Sequence, residues 1–143
     1  MATVNRSALV NYSAESMFDL VNDVQSYPKF LPGCADARVL EADTERMKAS
    51  VKVSKAGVSQ WFTTENHLKR GEFIEMTLVE GPFSHLTGGW RFTPLSEQAC
   101  KIELHLEFAF ASRLAEMAFG KAFNSIASNM VDAFTKRARE MYS

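Results

Sequence analysis

The feature that most constrains this chain is a change of period at Phe110. Between Asp36 and Phe110 apolar residues recur at every second position, and beyond it they recur at helical spacing. In the clearest run, Cys100, Ile102, Leu104, Leu106, Phe108 and Phe110 alternate with Lys101, Glu103, His105 and Glu107. Such alternation describes strands with one buried and one wet face, as antiparallel sheets allow. After Ser112, a residue suited to capping a helix, Leu114, Met117, Ala118, Phe123, Ile126, Met130, Val131, Phe134 and Met141 form a broad apolar stripe. A helix of about 30 residues is about 45 Å long, enough to cross a whole sheet.

The remaining segments fit that plan. Thr3 to Val10 alternates and reads as a first strand. Ser13 and Glu15 open a short helix whose apolar face is Met17, Phe18, Leu20 and Val21, with one side chain to cap free amides and one to suit the helix dipole. Pro28 and Pro32 limit the next stretch to a single helical turn carrying Tyr27, Phe30 and Leu31. Strands are expected at Arg38 to Glu41, Met47 to Val53, Ser59 to Leu68, Phe73 to Val79, Leu86 to Phe92 and Cys100 to Phe110. Turns are expected at Ala56-Gly57, Arg70-Gly71 and Gly81-Pro82. Short turns predict that neighbouring strands pair as a meander. The chain reads as one domain over residues 1–143, of α+β class, with a curved antiparallel sheet of six to seven strands around a long C-terminal helix.

Composition excludes several functions. The net charge is -1, without the basic surplus that phosphate-dominated binding requires, so no direct DNA binding is expected. No apolar run approaches the roughly 20 residues of a membrane span, and Met1 to Val10 does not resemble a secretory signal. A cytoplasmic protein without stable membrane insertion is expected. Cys34 and Cys100 form no metal-binding spacing and read as two reduced thiols.

The inward faces carry Phe62, Met76, Leu78, Leu86, Trp90, Phe92, Leu104 and Phe108 from strands, and Phe119, Phe123 and Met130 from the helix. That inventory describes either a closely packed core or the flat, adaptable walls of an apolar cavity. Thr64 and Asn66 share the parity of Phe62 and need partners if buried. No catalytic or metal site is expected. His67, His85 and His105 and the acids Glu75, Glu103 and Glu107 fall on the opposite parity, while Cys100 sits among aliphatics. Gly88-Gly89 lacks the helix and lysine of a phosphate loop and marks a bend or bulge instead.

Two stretches carry a resemblance to a known family. They are Tyr27-Pro28-Lys29-Phe30-Leu31-Pro32-Gly33-Cys34 and the run from Gly81-Pro82-Phe83 through Gly88-Gly89-Trp90-Arg91-Phe92-Thr93-Pro94. With Asn22-Asp23-Val24 and the terminal helix, they resemble the coenzyme Q-binding, START-like family across essentially the whole chain. The resemblance implies a helix-grip (START/Bet v 1-like) fold. It also implies a non-enzymatic protein that binds ubiquinone or another isoprenoid lipid as ligand, supports respiration, and works in the cytoplasm or peripherally at the inner membrane. Tyr27, Pro28, Phe30, Leu31, Pro32, Trp90 and Phe92 match the family pattern, and with the inward faces they make the expected ligand-binding residues Phe30, Leu31, Phe62, Thr64, Asn66, Met76, Leu78, Phe83, Leu86, Trp90, Phe92, Leu104, Phe119 and Phe123, with Phe30 and Phe83 at the rim. One bacterial branch implies a different role, a toxin that binds the large ribosomal subunit and blocks its association with the small one. Gly33, where many quinone-binding members carry Trp, points toward that branch. A cyclase or dehydratase on the same fold is the remotest reading, because no inward acid–base pair is present.

Overall fold

A computed structural model describes residues 2–55 and 57–142. The chain runs β1 (Ala2–Val10), α1 (Ala14–Asn22), a short 3-10 helix (Val24–Lys29), β2 (Cys34–Ala42), β3 (Arg46–Lys55), β4 (Val58–Lys69), β5 (Phe73–Glu80), β6 (Phe83–Ser96), β7 (Ala99–Phe110) and α2 (Arg113–Tyr142). The seven strands form one curved antiparallel sheet in the order β1-β7-β6-β5-β4-β3-β2. From β2 to β7 the expected meander holds. β1 departs from it by pairing with β7, from Ala2 opposite Phe108 to Val10 opposite Cys100. Of the turn expected at Ala56-Gly57, Ala56 lies outside the described residues.

Local chemistry accounts for the helix starts. Ser13 is extended, and its side chain accepts a hydrogen bond from the Ser16 amide at 3.1 Å, satisfying one of the free amides that open α1. Ser112 does the same for α2, its hydroxyl accepting from the Ala115 amide at 3.0 Å. α2 then runs for 30 residues and buries Phe119, Phe123, Ile126, Ala127, Val131, Phe134 and Ala138 against the sheet. Its first turns differ from the expected stripe. Leu114, Met117 and Ala118 are exposed, as is Met141 near the other end, where Tyr142 packs on Tyr12 and donates to the Ser16 carbonyl.

The sheet bends where β6 carries Gly88 and Gly89 at φ 133° and 155°. A Cβ at Gly88 would sit 2.0 Å from the His105 carbonyl oxygen of β7, and one at Gly89 would sit 1.9 Å from that of Ile74 in β5. Only glycine permits this backbone conformation at so close an approach. Register shifts in β2, in the β4–β5 pair and in the β6–β7 pair add to the curvature.

Candidate ligand cavity

Alternation along the strands directs one set of side chains toward α2. Ala49, Val51 and Val53 of β3, Phe62, Thr64 and Asn66 of β4, Ile74 and Met76 of β5, Leu86 and Trp90 of β6, and Leu106 of β7 line a cavity. Phe123, Ile126, Ala127 and Met130 of α2 face them, and Val21, Asn22, Val24, Tyr27 and Leu31 complete the wall. The space is about 70 Å³. Sites for drug-sized ligands run to about 300–1,000 Å³, whereas one water needs about 10–15 Å³. The cavity therefore has room for a few waters or one small group. A larger ring enters only if the partly buried side chains of Phe62, Met76 and Met130 move.

Gly33 contributes to that tightness. Its φ is 88°, and a Cβ there would lie 2.8 Å from Cγ1 of Ile126, a cavity-lining side chain. The bare glycine lets α2 settle onto the loop before β2.

The wall has few polar groups. The Thr64 hydroxyl donates to Oδ1 of Asn66 at 2.9 Å, so each inward polar residue of β4 partners the other. Asn22 Oδ1 is buried with no hydrogen-bond partner among the described residues. The Tyr27 hydroxyl donates to the Val21 carbonyl. Burial, with smaller contributions from Cys34 and Asp23, pushes this phenol far above its ordinary pKa, and it remains a neutral donor. Among the described residues that line the cavity, Tyr27 alone is titratable. Such a wall can hold an apolar group and orient one polar atom. It has no pair suited to exchanging protons near neutral pH.

The expected site residues divide into two groups. Leu31, Phe62, Thr64, Asn66, Met76, Leu86, Trp90 and Phe123 line the cavity. Phe30, Leu78, Phe83, Phe92, Leu104 and Phe119 do not. Phe83, expected at a rim, is buried among Phe62, Phe110, Phe119 and Phe123, with ring centroids 4.8–5.8 Å away. Phe119 belongs to that same cluster. Phe30 packs edge-on against Phe134 at 5.2 Å, under the Arg137 guanidinium. Phe92 contacts Trp90 and Phe18, Leu104 is buried opposite Trp90, and Leu78 is partly buried opposite Thr64. Val21, Asn22, Val24 and Tyr27 were not expected in the wall. Val21 is signalled by the apolar face of α1 and Tyr27 by the Tyr-Pro segment, whereas Asn22 and Val24 carry no such local signal.

Outside the cavity, His67 and His105 are exposed and His85 shares a 3.2 Å contact with Thr87. Burial pushes the thiols of Cys34 and Cys100 up to about 11. Among the described residues no group of His, Cys, Asp and Glu could hold a metal ion, and no helix is long and apolar enough to cross a membrane.

A long helix gripped by a curved sheet, over a wall of mostly apolar side chains, defines a START-like protein. Residues 10–135 match the family described as polyketide cyclase / dehydrase and lipid transport, and the chain belongs to that family. It is 61% identical over 142 residues to the ribosome association toxin RatA of Vibrio cholerae, covering 99% of each chain. It is 58% identical over 143 residues to the RatA of Escherichia coli, covering 100% of this chain and 90% of that one. The mitochondrial coenzyme Q-binding protein COQ10 homolog B of Xenopus laevis is 30% identical over 142 residues, covering 96% of this chain and 58% of that protein. Among solved structures, the Zhui aromatase/cyclase of Streptomyces superposes with a TM-score of 0.85 at 17% identity, covering 99% and 96% of the two chains, a likeness of fold alone.

Proposed function

We propose that this protein is directed at the ribosome, binding the large subunit and keeping it from joining the small one. The observation that carries this reading is the similarity over essentially full length, at 58–61% identity, to proteins named ribosome association toxin. The cavity wall agrees with a non-enzymatic role, since it offers no converging acid and base. Purified protein added to dissociated subunits at low salt should reduce the joined-ribosome peak in a sucrose gradient and co-sediment with the large subunit. Unchanged subunit association would sink the reading.

A second reading is carried by the cavity and by the likeness to a coenzyme Q-binding protein. In it the space between β4 and α2 takes up the ring of ubiquinone or another isoprenoid lipid after Phe62, Met76 and Met130 shift. Such a protein would work in the cytoplasm or at the surface of the inner membrane. Solvent extraction of native protein followed by mass spectrometry tests it. A stoichiometric quinone is expected, and a protein that neither carries nor takes up quinone has no such ligand.

A further inference from the structure

The face of the sheet turned away from α2 carries a second depression. Phe62 and Thr64 point into the cavity, so Trp61 and Thr63 point away from it. Trp61 stands opposite Lys52 of β3, Thr63 opposite Ser50, and Arg38 of β2 opposite Ser50 from the other side. The Arg38 guanidinium lies over the Trp61 ring, 4.8 Å from its centroid. Arg38, Leu40, Gln60 and Trp61, above Ser50 and Thr63, border a groove of about 500 Å³. The floor is fixed, because the Ser50 and Thr63 hydroxyls bond to each other at 2.6 Å and both residues are buried. The wall is open, with Leu40 51% exposed and Trp61 half-buried.

A flat indole on an open sheet face, with a guanidinium close over it, is the chemistry that holds an unpaired base. The charges around the groove nearly cancel. Arg38 lies 3.8 Å from Asp36 in an exposed pair of little strength, Lys52 has Asp36 as its other register neighbour, and Glu80 closes the far side. Binding here would therefore come mainly from stacking and only slightly from phosphate neutralisation, in keeping with the net charge of -1. We propose that the Arg38–Trp61 groove receives an unpaired base of RNA, which takes the place of the Arg38 guanidinium on the indole while Arg38 swings out to join Lys52 beside the adjoining phosphates. The choice of RNA rests on the ribosome reading, whereas the stacking site rests on the groove itself.

The test uses the full chain and two probes, fluorescein-labelled oligoadenylate of about twelve nucleotides and purified large ribosomal subunits. Trp61→Ala should weaken oligoadenylate binding by about tenfold or more, while Trp61→Phe stays within about threefold of the parent. Lys52→Glu should weaken it less, and the logarithm of affinity should fall with salt at a slope no steeper than about -1.5. Thermal melts confirm that each variant is folded. No oligoadenylate binding, or equal binding by Trp61→Ala, overturns the proposal. Subunits that co-sediment equally with parent and Trp61→Ala also overturn it, while the ribosome reading stands. Trp61-dependent oligonucleotide binding without subunit binding keeps the groove and removes the ribosome reading. Subunit binding that needs Trp61 but cross-links it only to ribosomal protein overturns the assignment to RNA.

Discussion

Phe123 of α2 meets Phe83 of β6 edge to face, with ring centroids 4.8 Å apart, although Phe123 also lines the cavity. The same ring touches Phe62, Phe108 and Phe119, so the cavity wall and the aromatic core are one structure. Phe123→Ala should cost about 3–5 kcal/mol, the range for an aromatic ring lost from a filled core. Urea denaturation measures it. A cost below about 1 kcal/mol would mean that α2 rides over an open pocket. The truncation also enlarges the cavity, so small aromatic compounds should raise the melting temperature of the variant more than that of the parent.

Tyr27 hangs the Tyr-Pro segment onto α1 through its hydroxyl, which donates to the Val21 carbonyl. Tyr27→Phe keeps the ring packing against Phe134, 5.3 Å between centroids, and leaves that carbonyl without its partner. The expected loss is about 1–3 kcal/mol, read from the shift of the denaturation midpoint. An unchanged midpoint would show that water replaces the hydroxyl.

Asn22 presents the opposite case, a buried acceptor with no donor among the described residues. Asn22→Leu removes that unpaired group and should stabilise the protein by about 1 kcal/mol. If the oxygen serves a ligand, the same variant should take up less quinone. Melting curves and uptake measured together separate a structural defect from a binding group.

Gly89→Ala forces a Cβ to within 1.9 Å of the Ile74 carbonyl oxygen at a positive φ. At least about 3 kcal/mol should be lost, through backbone strain and a spread sheet. Circular dichroism during a thermal scan checks this, and a melt like the parent's would mean that β5 and β6 can part without cost.

The two thiols give the fold a dependence on alkaline pH. Burial raises both from an ordinary value of 9.0 to about 11, so the folded state favours the neutral thiols. Their contribution is complete below about pH 9 and is lost as pH climbs through 11. The melting temperature should fall over that window, and less in the double variant Cys34→Ala, Cys100→Ala. Alkylation of the native protein by iodoacetamide at pH 8 should be slow, and prompt labelling of Cys100 would show that the β1–β7 end of the sheet opens readily.

How much could be read from sequence depended on whether a signal was local. The parity of β4 put Phe62, Thr64 and Asn66 on the inner face and left Trp61 outside, because period two is set by the backbone itself. The early start of β2 at Cys34 was hidden, since register shifts at Cys34/Asp36 and Val39/Glu41 break its alternation. Phe83 and Phe119 share the apolar character of the cavity-lining rings. Their place in the aromatic cluster follows from how α2 crosses β6, which no local pattern encodes. Asn22 and Val24 reach the wall for a similar reason, since the face of a short helix is chosen by what it packs against. The pairing of β1 with β7 was equally out of reach, because it joins residues about a hundred positions apart.

That pairing also governs when this protein can exist. The neighbour of its first strand is the last one made, and the helix that closes the cavity follows still later in the chain. During synthesis β1 emerges early and waits without its partner until β7 clears the exit tunnel. Contacts of such long sequence separation make folding slow relative to a chain of local contacts. The closed shape is therefore out of reach until the residues through α2 have all been synthesised.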